Sequence, residues 1–152
     1  MMAVRLTIDG QTIEASPGQT VLQAARSHGL VITTLCDYPD LTPVGSCRFC
    51  VVEVDGWQGE VTACTQPVRE GMVVRTQTPA LERSRRMVLD LLLRHYHDAG
   101  YAANDRMETE FEHWVRQYQA QPPAGFGHEA RYAIPWATSL ASWRSPSGHC
   151  AK

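Results

Sequence analysis

The feature that most constrains this chain is the spacing of four of its five cysteines. They follow the pattern C-x10-C-x2-C-x13-C and are Cys36, Cys47, Cys50 and Cys64. Three of them lie in residues 31–50, a segment without hydrophobic periodicity that also contains Pro39, Pro43 and Gly45. A loop this long is uncommon in a compact domain unless something binds to it. The pattern therefore indicates metal or thiol chemistry in preference to a disulfide framework.

The same pattern suits an iron–sulfur centre. Iron prefers soft sulfur ligands, and a [2Fe-2S] centre takes two thiolates on each iron. A rigid loop that presents three thiolates, together with a neighbouring strand that presents the fourth, meets this need. Glycine and proline in the loop favour a backbone that wraps closely around the centre. We therefore expect Cys36, Cys47, Cys50 and Cys64 to be the metal ligands of a single [2Fe-2S] cluster.

Three alternatives explain the cysteines less well. A structural zinc ribbon normally pairs two C-x2-C knuckles, and only the Cys47–Cys50 knuckle is present. Zinc is the second choice of metal. Two disulfides would suit an oxidising compartment, which no signal-peptide pattern supports. Four buried cysteines without metal would leave the long aperiodic loop unexplained.

The flanking sequence predicts an α+β fold of the β-grasp type. Alternating apolar residues from Val4 to Ile8, followed by Asp9-Gly10, predict a β-hairpin. Thr20 and Gln23 form the pattern of a capping box at the start of a helix that Gly29 would end. Further strands are predicted at residues 49–54, 61–64 and 72–76. Two strands, a helix and then more strands is the order of a β-grasp domain.

Two helices and an extended arm are predicted to follow. Thr78-Pro79 begins a helix whose apolar face would hold Leu81, Val88, Leu91, Leu92 and His95. A second helix, from about Asp105 to Gln119, carries Met107, Phe111, Trp114, Val115 and Tyr118 at core spacing. The expected domains are 1–78, a β-grasp domain that holds the [2Fe-2S] cluster, 79–120, a helical extension, and 121–152, an extended C-terminal arm.

Composition narrows the class of protein further. A chain of 152 residues with 43% apolar content can fill one core. The net charge is −2 and no basic run alternates with aromatics, so nucleic acid is not an expected partner. The start of the chain lacks the pattern of an export signal, and no apolar run is long enough for a membrane span. These features predict a cytoplasmic protein without direct membrane insertion.

The segments LCDYP, PVGSCRFCVVEV, ACTQPV and GMVV, which begin at residues 35, 43, 63 and 71, carry a family resemblance. They resemble the N-terminal [2Fe-2S] ferredoxin module of the large iron–sulfur subunit of respiratory complex I. The same module forms the N-terminal part of the catalytic subunits of NAD-linked formate dehydrogenases and of the diaphorase subunits of hydrogenases. The resemblance covers about residues 3–95, and it implies the four cysteine ligands already named.

The resemblance fails after residue 95. In that family an H-x3-C-x2-C-x5-C motif holds a [4Fe-4S] cluster, and here the corresponding residues are His95, Ala99, Ala102 and Glu108. One histidine and one carboxylate do not replace four soft ligands, so the second cluster is expected to be lost. We expect His95 to be a packed core residue and Cys150 to be a free thiol on a mobile tail.

The functional expectation is an electron-transfer subunit of a multi-subunit oxidoreductase of the formate dehydrogenase, NADH dehydrogenase or hydrogenase type. No nucleophile–base pair, phosphate loop or G-x-G-x-x-G pattern is present, so no catalytic residue is predicted. The expected partners are larger redox subunits that contain flavin, molybdopterin or iron–sulfur clusters. An assembly or structural subunit, whose cluster is mainly structural, is the alternative.

Overall fold

The computed structural model describes residues 3–93 and 109–121. These residues form five strands and three helices: β1 (Val4–Ile8), β2 (Gln11–Ala15), α1 (Val21–Ser27), β3 (Val51–Val54), β4 (Glu60–Thr62), β5 (Met72–Arg75), α2 (Pro79–Leu93) and α3 (Glu110–Gln117).

The strands form one mixed sheet in the order β2-β1-β5-β3-β4. The hairpin of β1 and β2 is antiparallel, with Leu6 opposite Ile13. The central pair β1 and β5 is parallel, and β3 runs antiparallel to both β5 and β4. A parallel central pair flanked by antiparallel strands, with a helix after the first hairpin, is the β-grasp arrangement. The predicted α+β fold class is confirmed.

Helix α1 begins and ends where the sequence predicts. Thr20 accepts a hydrogen bond from the backbone N–H of Gln23, and the Gln23 side chain accepts one from the backbone N–H of Thr20. Gly29 follows the helix with a φ of +72°, a conformation that glycine adopts without steric cost. The buried face of α1, which consists of Val21, Leu22, Ala24 and Ala25, packs into the main core with apolar residues of the sheet.

The predicted strands are correct in order but shorter at their ends. The chain is extended only from Val51, two residues after the predicted start at Phe49, and β4 ends before Cys64. In both places a turn replaces the strand end, and each turn holds a cysteine. The departures from regular strand therefore occur at the residues that carry the candidate chemistry.

The buried face of α2 differs from the predicted one. Leu81, Arg85 and Leu89 are buried, whereas Leu91 and Leu92 are 47% and 43% exposed. The true stripe repeats every four residues and includes a charged side chain, which an apolar pattern cannot identify. His95 lies outside the described residues.

Helix α3 begins later than predicted, because Thr109 forms a capping box with Glu112. Its apolar side chains pack on a second, smaller core that contains Phe49 and Leu89. Core packing of Phe111, Trp114, Val115 and Tyr118 is thus confirmed, while Met107 and the arm beyond Gln121 lie outside the described residues. None of the helices in the described ranges has the length and apolar character needed to cross a lipid bilayer.

Candidate metal centre

The strand turns place Cys50 and Cys64 side by side. Cys50 directly precedes β3, and Cys64 lies two residues after β4, the antiparallel neighbour of β3. The backbone N–H of Ala63 donates a 3.0 Å hydrogen bond to the carbonyl oxygen of Cys50. Both cysteines are buried, with 2% and 1% of their surface exposed. The sheet therefore fixes this thiol pair from two adjacent strands.

The segment around Cys64 is also attached to α1. The backbone N–H of Leu22 donates to the carbonyl of Ala63 at 3.0 Å, and that of Val21 donates to the carbonyl of Gln66 at 2.8 Å. These two N–H groups belong to the first turn of α1, which has no acceptors of its own inside the helix. The turn that carries Cys64 satisfies them, so the helix start and the cysteine position depend on each other.

Cys36 and Cys47 form a second thiol pair on the aperiodic loop. The two thiols are half-buried and in hydrogen-bond contact with each other. The Cys47 sulfur also accepts a hydrogen bond from the backbone N–H of Phe49, at 3.4 Å. Beside Cys36, the Asp37 carboxylate forms a 2.5 Å ion pair with Arg26 of α1. This ion pair ties the start of the cysteine loop to the helix.

The local electrostatics differ between the two pairs. Burial raises the pKa of the Cys36 thiol, but hydrogen bonds from Cys47 and Ser46 together lower it by more, so its pKa lies below the usual value. Burial is the largest cause that raises the pKa of Cys47, and its hydrogen bond and charge interaction with Cys36 raise it further. The Cys36 thiol therefore loses its proton more readily than the Cys47 thiol.

The pKa of Cys64 is strongly raised. Burial, the thiol hydrogen bond with Cys50, and the negative charges of Cys50, Cys36 and Asp37 raise its pKa to about 12. The charge of Cys36, a member of the loop pair, is thus among the causes that raise the pKa of Cys64 in the strand pair. Four thiols that repel one another's charges in this way form a site suited to cations.

Two residues of the loop adopt left-handed backbone conformations. Gly45 has a φ of +64°, and a Cβ at this position would lie 3.1 Å from Thr62 Oγ1 and 3.3 Å from Thr65 Cγ2. Arg48, between the two cysteines of the knuckle, has a φ of +54°. Glycine at position 45 thus permits the loop to lie directly against the turn that precedes Cys64.

The structure places the four cysteines predicted as ligands in two pairs, Cys36 with Cys47 and Cys50 with Cys64. All four are free thiols. Within residues 3–93 and 109–121, no group of three or more His, Cys, Asp or Glu side chains could hold a single metal ion. The predicted fifth thiol, Cys150, and the positions of the lost second motif lie outside the described residues.

Sequence reasoning missed two residues that shape this site. Arg85 of α2 is buried and donates to the carbonyls of Phe49 and Val51, which flank Cys50. Phe49 is fully buried and contacts aromatic rings of α3. The four-residue spacing of Leu81, Arg85 and Leu89 was the only available signal for the arginine, and an arginine within an apolar stripe more commonly marks its edge.

A β-grasp sheet whose turns carry paired thiols on a glycine-containing loop defines a ferredoxin-like iron–sulfur domain. A family model described as "2Fe-2S iron-sulfur cluster binding domain" matches residues 1–79, just over half of the chain. The chain belongs to this family, whose cofactor is a [2Fe-2S] cluster, and the predicted resemblance and cofactor are confirmed.

Named relatives agree with this assignment. The chain is 44% identical over 90 residues to an NADH-quinone oxidoreductase subunit of Rhizobium meliloti (strain 1021), in an alignment that covers 59% of this chain and 11% of the relative. It is 42% identical, with the same coverage, to the alpha subunit of the NADPH-Fe(3+) oxidoreductase of Geobacter sulfurreducens. The chain thus spans 11% of the length of these relatives.

A solved structure shares the fold over a larger part of the chain. The crystal structure of an NAD+-reducing [NiFe]-hydrogenase in the H2-reduced state superposes with a TM-score of 0.69 and 29% sequence identity. The match covers 78% of this chain and 50% of that chain. It therefore reaches well beyond the 79 residues of the family match.

Proposed function

We propose that Cys36, Cys47, Cys50 and Cys64 hold one [2Fe-2S] cluster, with the loop pair on one iron and the strand pair on the other. The observation that carries this proposal is the arrangement of the thiols as two pairs, with the charge of Cys36 acting on Cys64. A [2Fe-2S] centre takes two thiolates per iron. A mononuclear zinc site needs about four ligands around one ion, and the described residues offer no such group.

The chain's own residues would supply three further properties of the site. Burial of Cys50 and Cys64 excludes water from one side of the centre. The ion pair of Arg26 with Asp37 and the turn at Thr62–Thr65 hold the loop in position. The Phe49 N–H aimed at the Cys47 sulfur is the kind of hydrogen bond that tunes such centres.

The function that these features support is electron transfer within an oxidoreductase complex. When bound, a [2Fe-2S] cluster accepts and donates single electrons. Support comes from the relatives, which are subunits of NADH-quinone and NADPH-Fe(3+) oxidoreductases. The electron donor would be a reduced flavin or iron–sulfur centre of a partner subunit, and the acceptor another such centre. A complex of the NADH dehydrogenase, hydrogenase or formate dehydrogenase type would contain such donor and acceptor centres.

The proposed partners are larger redox subunits. Three apolar side chains of the cysteine loop, those of Tyr38, Leu41 and Val44, are 60–72% exposed beside the candidate centre. Apolar and aromatic side chains of this kind are enriched where protein surfaces associate. We propose the cytoplasm as the compartment, because cysteines that serve as metal ligands suit a reducing environment. The proposed division is a β-grasp domain over 1–78, a helical extension over 79–120 and an arm over 121–152.

The ligand assignment is tested by C47S, with C150S as the matched control. The wild-type protein and C150S are expected to contain about two irons and two sulfides per chain, with the visible absorption of a [2Fe-2S] centre. C47S is expected to lose most of this absorption. Full occupancy in C47S would contradict the ligand assignment. Four or more irons in the wild-type protein would contradict a single cluster and the expected loss of the second one.

Electron transfer is tested separately in the complex that co-purifies with the chain. If the cluster carries electrons, a complex that contains C47S will assemble and yet reduce its acceptor at a small fraction of the wild-type rate. A complex that assembles with C47S and turns over normally would favour the structural role. The co-purifying subunits, identified by mass spectrometry, would also name the donor and acceptor.

A further inference from the structure

Arg85 is a buried cation behind the cysteine loop. Only 3% of its surface is exposed. Its Nη2 donates to the carbonyl oxygens of Val51 and Thr76 at 2.7 and 2.8 Å, and its Nε donates to the carbonyl oxygen of Phe49 at 3.3 Å. The guanidinium thus donates hydrogen bonds to the backbone on both sides of Cys50.

The charge of Arg85 lacks a carboxylate partner in the described part of the chain. The ion pairs there involve Arg5, Arg26 and Arg75, all of them on the surface or partly exposed. A buried cation without a counter-ion is costly, and carbonyl dipoles offset only part of that cost. A neutral donor such as glutamine could bond at most two of these three carbonyls, but it would carry no charge. The charge itself therefore calls for a functional explanation.

A negatively charged iron–sulfur centre bound at Cys50 would explain the buried charge of Arg85. Four thiolates around two irons and two sulfides give the centre a net negative charge, and one added electron increases it. A positive charge in a low-dielectric interior stabilises the more negative state. Arg85 is 3% exposed and bonds the carbonyls on both sides of Cys50, so solvent screens its charge less than that of a surface residue.

We propose that Arg85 is a positioning residue for the cluster that fixes the backbone around Cys50 and, through its buried charge, raises the reduction potential of the centre. This inference rests on the proposed function, because it requires the cysteines to hold a cluster. By this inference, a residue of this chain, and not of a partner subunit, helps to set the reduction potential of the centre. That potential is one determinant of the direction of electron transfer.

The experiment compares R85Q, R85K and R86Q in the full chain. R85Q keeps hydrogen-bond donors but removes the charge, R85K keeps the charge but loses the planar fork, and R86Q removes an exposed charge from the same helix. Iron and sulfide are quantified first. The reduced fraction is then followed by EPR during titration with dithionite, which supplies the single electron.

The potential of R85Q is expected to fall while R86Q stays at the wild-type value. The ratio of reduced to oxidised centre at a fixed potential should drop about tenfold in R85Q, which for one electron is about 59 mV. R85K should remain within about twofold of the wild type at pH 7. Equal potentials in R85Q and the wild type, or equal losses in R85Q and R85K, would overturn the proposal. Absence of iron from the wild-type protein would instead refute the proposed function.

R85K provides a second measurement that does not depend on the folding of R85Q. A buried lysine loses its proton as the pH rises, whereas arginine stays charged. The potential of R85K should therefore fall with rising pH relative to the wild type. The other ionisable side chains around the groove beside Arg85 are Glu82, Arg83, Arg86 and Tyr118, and the wild-type titration controls for all of them. Parallel pH profiles of R85K and the wild type would overturn the proposal.

Discussion

The rings of Phe49 and Trp114 are in contact, with centroids 5.7 Å apart and planes inclined at 59°. Phe49 lies between the two cysteines of the knuckle, and Trp114 lies on α3, far along the chain. Tyr118 meets the same phenylalanine edge-on, also at 5.7 Å. The helical extension thus covers the inner side of the cysteine loop. Its packing and the geometry of the proposed ligands are coupled through one side chain.

Trp114→Ala is expected to weaken the loop as well as α3. Removing a large aromatic side chain from such a cluster costs about 3 kcal/mol. The urea concentration at which half of the visible absorbance is lost should therefore fall clearly below that of the wild type.

Trp114→Phe is the matched control for that variant. The indole N–H of Trp114 has no hydrogen-bond partner among the described residues. Phenylalanine at this position therefore reduces the ring area in contact but breaks no hydrogen bond to those residues. Its free energy of unfolding, taken from the same urea titration, is expected to stay within about 1 kcal/mol of the wild-type value. If alanine at position 114 leaves the midpoint unchanged, α3 does not support the loop.

Gly45→Ala is expected to shorten the lifetime of the bound cluster. The added Cβ would meet Thr62 and Thr65, whose hydroxyl groups are hydrogen-bonded at 2.6 Å in the turn before Cys64. That contact adds to a cost of about 1 kcal/mol for a left-handed residue other than glycine. Iron release into a chelator should become several-fold faster.

Gly56→Ala separates the two effects in that experiment. Gly56 has a φ of +77°, but a Cβ there would have nothing within 4 Å. It should therefore lose about 1 kcal/mol of stability from backbone strain while it releases iron at the wild-type rate. Equal release rates in both variants would show that the close approach of the loop to the turn is unimportant.

The cysteine loop and the β-grasp order could be predicted because their signals are local. Asp9-Gly10, the Thr20–Gln23 capping box and Thr78-Pro79 each specify a turn or a helix start from a few adjacent residues. The spacing of the cysteines likewise fixed the type of site, because only a few metal centres accept four thiolates from one loop and one strand.

The role of Arg85 and the covering of Phe49 by α3 could not be predicted, because both depend on contacts between distant residues. Arg85 lies 36 and 34 positions from the two carbonyls that flank Cys50. The apolar pattern of α2 placed Leu91 and Leu92 in the core, yet they are 47% and 43% exposed, while the buried residues of this helix are Leu81, Arg85 and Leu89. Periodicity identifies a helix face but not the element that it meets.

In the metal-free protein, Cys36 is expected to react with iodoacetamide faster than Cys64. The thiolate is the reactive form, and the pKa of Cys36 is below the usual value whereas that of Cys64 is raised to about 12. At pH 8 only about one Cys64 in ten thousand would be ionised. Raising the pH should therefore accelerate the labelling of Cys64 far more than that of Cys36.

Peptide mapping by mass spectrometry after timed labelling measures these rates. Urea-unfolded protein is the control, because there the four thiols should react at similar rates. Faster labelling of Cys64 than of Cys36 in the folded metal-free protein would contradict the electrostatic assignment of the two thiol pairs.

Residues 121–152 are expected to attach the chain to a partner subunit. The sequence there is rich in proline and glycine, and its charged residues are only Glu129, Arg131, Arg144 and Lys152. It nevertheless contains four large aromatic residues, Phe126, Tyr132, Trp136 and Trp143. A solvated tail is normally depleted in aromatics and enriched in charge, so these rings are expected to be buried against another surface.

A chain that ends at Gln121 tests this expectation. Gln121 is a suitable end point, because its backbone N–H donates a 2.8 Å hydrogen bond to Asp90 of α2 and so completes the contact between the extension and that helix. The shortened chain should keep about two irons and its EPR spectrum, yet lose its partner in co-purification. A control chain with the four aromatic residues changed to alanine should behave in the same way. If the shortened chain still assembles normally, the arm does not attach it, and if it loses its cluster, the arm packs on the ferredoxin domain instead.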